Sequence, residues 1–145
     1  MASIHKDIPI DAPPDDVWDA VRDFGSPHKR LVPGFVRDAR LDGDARIVTF
    51  ANGTVARELL VDCDDSRRRL VYAVISERVR QYSASVQVMA DGDTRSRIVW
   101  IVDVLPHEIA PYIDAQMDQA ALAMQKGLAR SAKVESGFAS DRAPK

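Results

Sequence analysis

Glu58 offers the clearest chemistry in this chain, because it stands among Val55, Ala56, Leu59, Leu60 and Val61. A carboxylate that points inward from such a run needs a partner. The turn at Asn52-Gly53 decides which partner it meets. A two-residue turn sets Glu58 opposite Ile47, whereas a three-residue loop with Gly53 in the left-handed bulge position sets it opposite Arg46. The second register is preferred, since it also gathers Val48, Phe50, Ala56 and Leu60 on one face as an apolar lining with one ion pair. The alternative leaves Glu58 exposed on the convex face of a sheet. A carboxylate and a guanidinium in a cavity could move a proton and stabilise an enolate.

Tyr72, Tyr82 and Trp100 add large rings with a polar tip, suited to gripping an apolar ligand and orienting its oxygen atoms; core packing explains them nearly as well. Ile113, Gln116, Met117 and Met124 share a helical face that could form a lid, methionine being adaptable, although that spacing also describes plain core. Cys63 reads as a packing residue at a strand end. His5, His28 and His107 are dispersed. Of these only His28 is kept as a candidate, for acid-base work beside a cavity.

Other chemistries fall away. The chain has no G-x-G, G-x-S-x-G, H-E-x-x-H or G-K-[ST], so nucleotide-binding and zinc-hydrolase readings lose their support. Asp62, Asp64 and Asp65 lack the alternating ligands and the glycine of a calcium loop and read as a charged turn. Arg67-Arg68-Arg69 reads as a solvated hairpin end rather than a nucleic-acid patch. No metal site and no cofactor is expected.

The elements that must position these residues follow from pattern. A first strand over residues 3 to 10 runs into Asp11-Ala12-Pro13-Pro14, where a helix starts; proline suits its first turn and Asp15 and Asp16 suit its dipole. Val17, Trp18, Val21 and Phe24 form its apolar stripe, and Gly25 stops it. A second short helix is predicted over Pro27 to Val32, closed by Pro33-Gly34. Six strands follow, at about 35 to 41, 45 to 51, 54 to 62, 68 to 76, 81 to 90 and 95 to 105, punctuated by Asp42-Gly43, Asn52-Gly53 and Asp91-Gly92 and connected as an antiparallel meander. On the last strand Ile98, Trp100, Val102 and Val104 are placed inward, Val99, Ile101 and Asp103 outward. A long helix then runs from after Pro106 to about residue 133, with Ile109, Tyr112, Ile113, Met117, Ala120, Ala121, Met124 and Leu128 on one face. Laid across the concave side of a curved sheet, that face would be buried.

With 145 residues, 46% of them hydrophobic and 29% charged, the chain fits one globular domain, expected over 1–135 with a flexible tail over 136–145. Twenty basic residues against 22 acidic ones leave no overall field for nucleic acid or anionic lipid. A single cysteine excludes an internal disulfide and any multi-cysteine metal site. With no stretch approaching a membrane span and an N-terminus that reads as mature sequence, a cytoplasmic protein without integral membrane association is expected, as a monomer or homodimer.

The element order and the segment IDAPPDDVWDAVRDF at positions 10 to 24 resemble the START-like (SRPBCC) superfamily, which includes bacterial polyketide cyclase/dehydrase-type proteins, the birch pollen allergen and abscisic-acid receptors. Further matching pieces are Gly43 with Arg46, Glu58-Leu59-Leu60, Asp64-Asp65, Tyr72, Tyr82, and Trp100 six residues before Pro106. The resemblance implies an α+β helix-grip fold: a seven-stranded antiparallel curved sheet around a long C-terminal helix, with two short helices between strands one and two. It also implies an apolar cavity, lined in abscisic-acid receptors by a glutamate at the position of Glu58. Members range from cyclases to carriers and receptors, so fold does not decide chemistry. The first expectation is binding of a small hydrophobic ligand by Glu58, Arg46, Phe50, Tyr72, Tyr82, Trp100, Ile113, Met117 and Met124. The second is a cyclase, aromatase or dehydratase with Glu58, His28 and Arg46 as catalytic candidates. A third, a module acting through its surface, would suit a filled interior.

Overall fold

Strict alternation along its strands builds the sheet. In β7 (Ser96–Leu105) the side chains of Ile98, Trp100, Val102 and Val104 are buried while those between them are not, which puts the predicted face inward. The structure, a computed structural model, describes the backbone of residues 2–142 and the side chains of residues 2–129. The other strands are β1 (Ala2–Ile10), β2 (Val36–Asp42), β3 (Ala45–Phe50), β4 (Val55–Asp64), β5 (Arg69–Ile75) and β6 (Gln81–Ala90). They form one antiparallel sheet of seven strands in the order β1-β7-β6-β5-β4-β3-β2. Among the described residues two helices, α1 (Pro14–Arg22) and α2 (Ala110–Arg142), and one 3-10 turn at His107–Ile109 complete the fold. The pattern had placed the end of α2 near residue 133; the tail expected over 136–145 lies outside the residues whose side chains are described.

The β3–β4 hairpin takes the three-residue loop. Phe50 N donates to Thr54 O at 2.8 Å, Gly53 N donates to Phe50 O at 2.9 Å, and Gly53 has φ +90°, a conformation glycine adopts without a Cβ clash. Arg46 consequently pairs with Glu58 and Val48 with Ala56. Leu60 departs from the expected lining. It pairs with Tyr72 and so keeps the concave face, yet is 36% exposed because the β3 pairing ends at Ala45–Leu59 and leaves it without a paired residue on that side.

α1 forms as its signals require, with Pro14 in the first turn, Asp15 and Asp16 beside it, and Val17, Trp18 and Val21 buried. Asp65, from the turn after β4, ties it down by accepting from Trp18 Nε1 and Arg22 Nε, each at 2.9 Å. The second short helix is absent. Residues 27 to 32 form turns, with Val32 N donating to Pro27 O at 2.9 Å and Lys29 N to Ser26 O at 3.2 Å. Pro33 disfavours the helical region for Val32, and a stretch this short lacks the length to offset helix nucleation.

α2 buries Met117, Ala120, Met124 and Leu128 and is keyed to β1. Lys6 Nζ meets Asp114 and also Asp118, the latter at 2.8 Å, and Gln125 Nε2 donates to Pro9 O at 3.1 Å. On its other flank the 27–33 segment seats directly on Gly127, where a Cβ would stand 2.6 Å from Pro33 Cδ and 2.7 Å from the Arg30 carbonyl oxygen.

Candidate ligand cavity

The first half of α2, the concave faces of β4 to β7 and the loop after β3 enclose a cavity of about 380 Å³, within the range of small-molecule sites. Seven predicted residues line it: Phe50, Glu58, Tyr72, Tyr82, Trp100, Ile113 and Met117. Gln116, expected on the lid, does so too. Behind it lies a smaller chamber of about 60 Å³. Phe50, Glu58, Tyr72 and Trp100 border both spaces and so form the partition between them.

Three of the predicted residues stand off the larger cavity. Arg46 and Met124 border only the inner chamber. Arg46 is committed to the protein: its Nε donates to Glu58 Oε1 at 2.7 Å, its Nη1 to Phe24 O at 3.3 Å, and its guanidinium lies 4.2 Å from the Phe24 ring centre and 5.1 Å from that of Tyr72. Met124 sits one helical turn or more beyond Met117, past the partition. His28 borders neither space; its half-buried ring belongs to the turn segment that packs towards Gly127 instead of forming a cavity-edge helix, and its Nδ1 has no hydrogen-bond partner.

Glu58 and Arg46 are each 7% exposed, so the pair is desolvated and its geometry matters. Arg46 holds one carboxylate oxygen. The other, Oε2, has no donor among the described residues. Trp100 Nε1, also on the partition, is buried and meets no acceptor at full hydrogen-bond geometry among the described residues, with only the Tyr72 hydroxyl beside it. Burial, together with the Glu58 charge, raises the Tyr72 phenol well above the ordinary tyrosine range, with weak opposition from Arg46 and Trp100. Burial raises Tyr82 likewise, helped by Tyr72 and Glu58. Both phenols stay protonated at neutral pH and are poor acids, yet each can donate and accept a hydrogen bond. The floor of the cavity therefore presents one fixed acceptor, one fixed donor and two adaptable hydroxyls in an otherwise apolar wall.

Several lining residues had not been singled out. Phe35 stacks edge-to-face on Phe50, ring centres 5.6 Å apart, and Arg78 and Val79 come from the β5–β6 turn. The Pro33-Gly34 turn before Phe35 was the one sequence signal for its placement. Loop residues such as Arg78 carry no periodicity that would mark them. Among the described residues no group of three or more His, Cys, Asp or Glu is arranged to hold a metal ion, and no helix is long and apolar enough to cross a membrane.

Residues 1–134 match the family model described as polyketide cyclase / dehydrase and lipid transport. No curated protein matches the sequence. Among solved structures, an uncharacterised protein from Bacillus thuringiensis superposes with a TM-score of 0.78 at 18% identity, over 88% of this chain and 98% of that one. The di-domain ARO/CYC BexL from the BE-7585A biosynthetic pathway gives 0.75 at 16% identity, over 88% of this chain and 46% of that one. A START superfamily protein from Mycobacterium smegmatis gives 0.70 at 10% identity, over 90% and 97%. Identities this low speak to fold, which is the helix grip described above. With the family model spanning all but the last residues, the chain belongs to the polyketide cyclase/dehydrase and lipid transport family.

Proposed function

We propose that the protein binds a small, mainly apolar molecule such as a polyketide, lipid or aromatic metabolite in the 380 Å³ cavity, for carriage, sequestration or sensing. One observation carries the reading: Trp100 Nε1 is a buried donor that meets no acceptor at full hydrogen-bond geometry among the described residues, with only the Tyr72 hydroxyl beside it, on the same partition as the unpaired oxygen of Glu58. A buried polar group left unsatisfied costs ~1–3 kcal/mol, and a ligand hydroxyl or carbonyl at the floor would recover it. The apolar wall would supply affinity and the floor orientation. The single cysteine, free and exposed, suits a cytoplasmic carrier. Native mass spectrometry of protein purified from its own cell should show a co-purifying small molecule, released in parallel with lost dye binding. A cavity that is always empty and takes up no apolar dye would overturn the proposal.

Catalysis of the cyclase, aromatase or dehydratase type is the second reading, favoured by the free oxygen of Glu58 held rigidly by Arg46. Here Glu58 would accept a proton from a bound ketone's activated carbon, and the Tyr72, Tyr82 and Trp100 donors would stabilise the enolate oxygen. Arg46 would act only by positioning Glu58. Conversion of a diketone probe, lost in Glu58→Gln while the probe still binds, is the result this reading requires.

A further inference from the structure

Charge accounting around the cavity leaves one group unmatched. Among the lining residues only Glu58 and Arg78 carry a formal charge at neutral pH. The charge of Glu58 is met inside the protein by Arg46 at 2.7 Å. Arg78 stands at the mouth, exposed, on the turn between β5 and β6, and no carboxylate among the described residues lies within ion-pair distance of it. Its turn is nonetheless well held, with Arg78 N donating to Ser76 Oγ at 3.1 Å and Arg80 N to Leu105 O at 2.9 Å. The remaining polar residues of the rim, Asn52, Thr54, Ser76 and Gln116, are neutral. The cavity thus has one positive charge in excess, at its solvent end.

Resting on the binding reading above, we infer that the ligand is a carboxylic acid that enters neutral end first, with its hydroxyl or carbonyl at the Glu58 and Trp100 floor and its carboxylate against Arg78 at the mouth. The opposite orientation would desolvate the carboxylate beside that of Glu58, where like charges disfavour ionisation. At the mouth it keeps much of its hydration and gains a guanidinium that accepts carboxylates in fork geometry. A phosphate monoester, carrying about −1.5 to −2 at neutral pH, would leave charge unmatched by a single arginine.

The test compares 6-hydroxy-2-naphthoic acid with its carboxamide, titrated by fluorescence at low ionic strength and again in concentrated salt. An exposed ion pair is worth up to a factor of about five, so the native protein should bind the acid about three- to fivefold tighter than the amide, and salt should erase the difference. Arg78→Gln should remove the preference without weakening the amide, Arg78→Lys should keep most of it, and Arg78→Glu should reverse it. The side chain has no hydrogen-bond or ion-pair partner among the described residues, so these variants fold if the native protein does. Equal affinities in the native protein, or an acid preference that survives Arg78→Gln, overturn the acid inference while amide binding leaves the cavity reading standing. Failure of both probes to bind removes the binding reading and this inference with it.

Discussion

Arg46 and Glu58 face each other across the β3–β4 hairpin with Nε and Oε1 2.7 Å apart, yet the two side chains look into different spaces: Glu58 borders the large cavity and Arg46 only the chamber behind it. The arginine is the support and the carboxylate the surface a ligand meets. Breaking one partner of a buried pair costs ~3–5 kcal/mol, less where water enters. Arg46→Met should be the worse of the two single changes, since it strands the Glu58 charge beside Tyr72. Glu58→Gln leaves Arg46 its contacts with Phe24 and Tyr72. The double change to Met and Leu should recover much of the stability but not ligand retention. A denaturation cycle on the four proteins measures this; additive effects near zero would show that the pair is solvated.

Tyr72 and Tyr82 line the cavity with hydroxyls that make no full hydrogen bond to the described residues, Tyr72 having only Trp100 Nε1 beside it. Replacing either by Phe should therefore change stability by less than about 1 kcal/mol, because at most one weak intramolecular contact is lost. Retention of a hydroxylated ligand should fall about three- to tenfold, in line with ~0.5–1.5 kcal/mol for one hydrogen bond. Isothermal titration with parallel urea unfolding separates the two quantities. Binding loss that merely follows stability loss would make the rings ordinary core.

The same two phenols set an alkaline limit. Their folded pKa values lie above the ordinary tyrosine value, so above about pH 10 the unfolded chain ionises where the folded one does not. The unfolded state then binds fewer protons, and stability falls as pH rises. It is fully present below that pH. Urea midpoints between pH 8 and 11 should decline at the upper end, with a shallower slope in the Tyr72→Phe, Tyr82→Phe double variant. An identical slope would place the phenols in water.

Gly127 lies inside a helix, where alanine would ordinarily gain ~1 kcal/mol. Here Gly127→Ala should lose stability, by about 1–3 kcal/mol, because the new methyl meets the Pro33 ring and the Arg30 carbonyl. The 27–34 segment would have to lift from α2. Thermal unfolding tests the sign, and a higher melting temperature would contradict the close approach.

What could be read directly from sequence was what neighbouring residues decide among themselves. Asn52-Gly53 selects the hairpin loop, the loop fixes the register, and the register pairs Arg46 with Glu58; alternation along Ile98, Trp100, Val102 and Val104 marks the buried face of β7. Each of these rests on steric or periodic rules acting over a few residues. The assembled molecule decided the rest. The end of the β3 pairing at Ala45–Leu59 left Leu60 exposed, Pro33 and the seat on Gly127 replaced the second short helix by turns and drew His28 away from the cavity, and the four-residue partition left Arg46 and Met124 behind it. Arg78 reached the mouth because the β5–β6 turn is tied to the end of β7, where Arg80 N donates to Leu105 O. Such placements depend on how the curved sheet and the helix share one volume, a property of elements distant in sequence, and no local pattern encodes it.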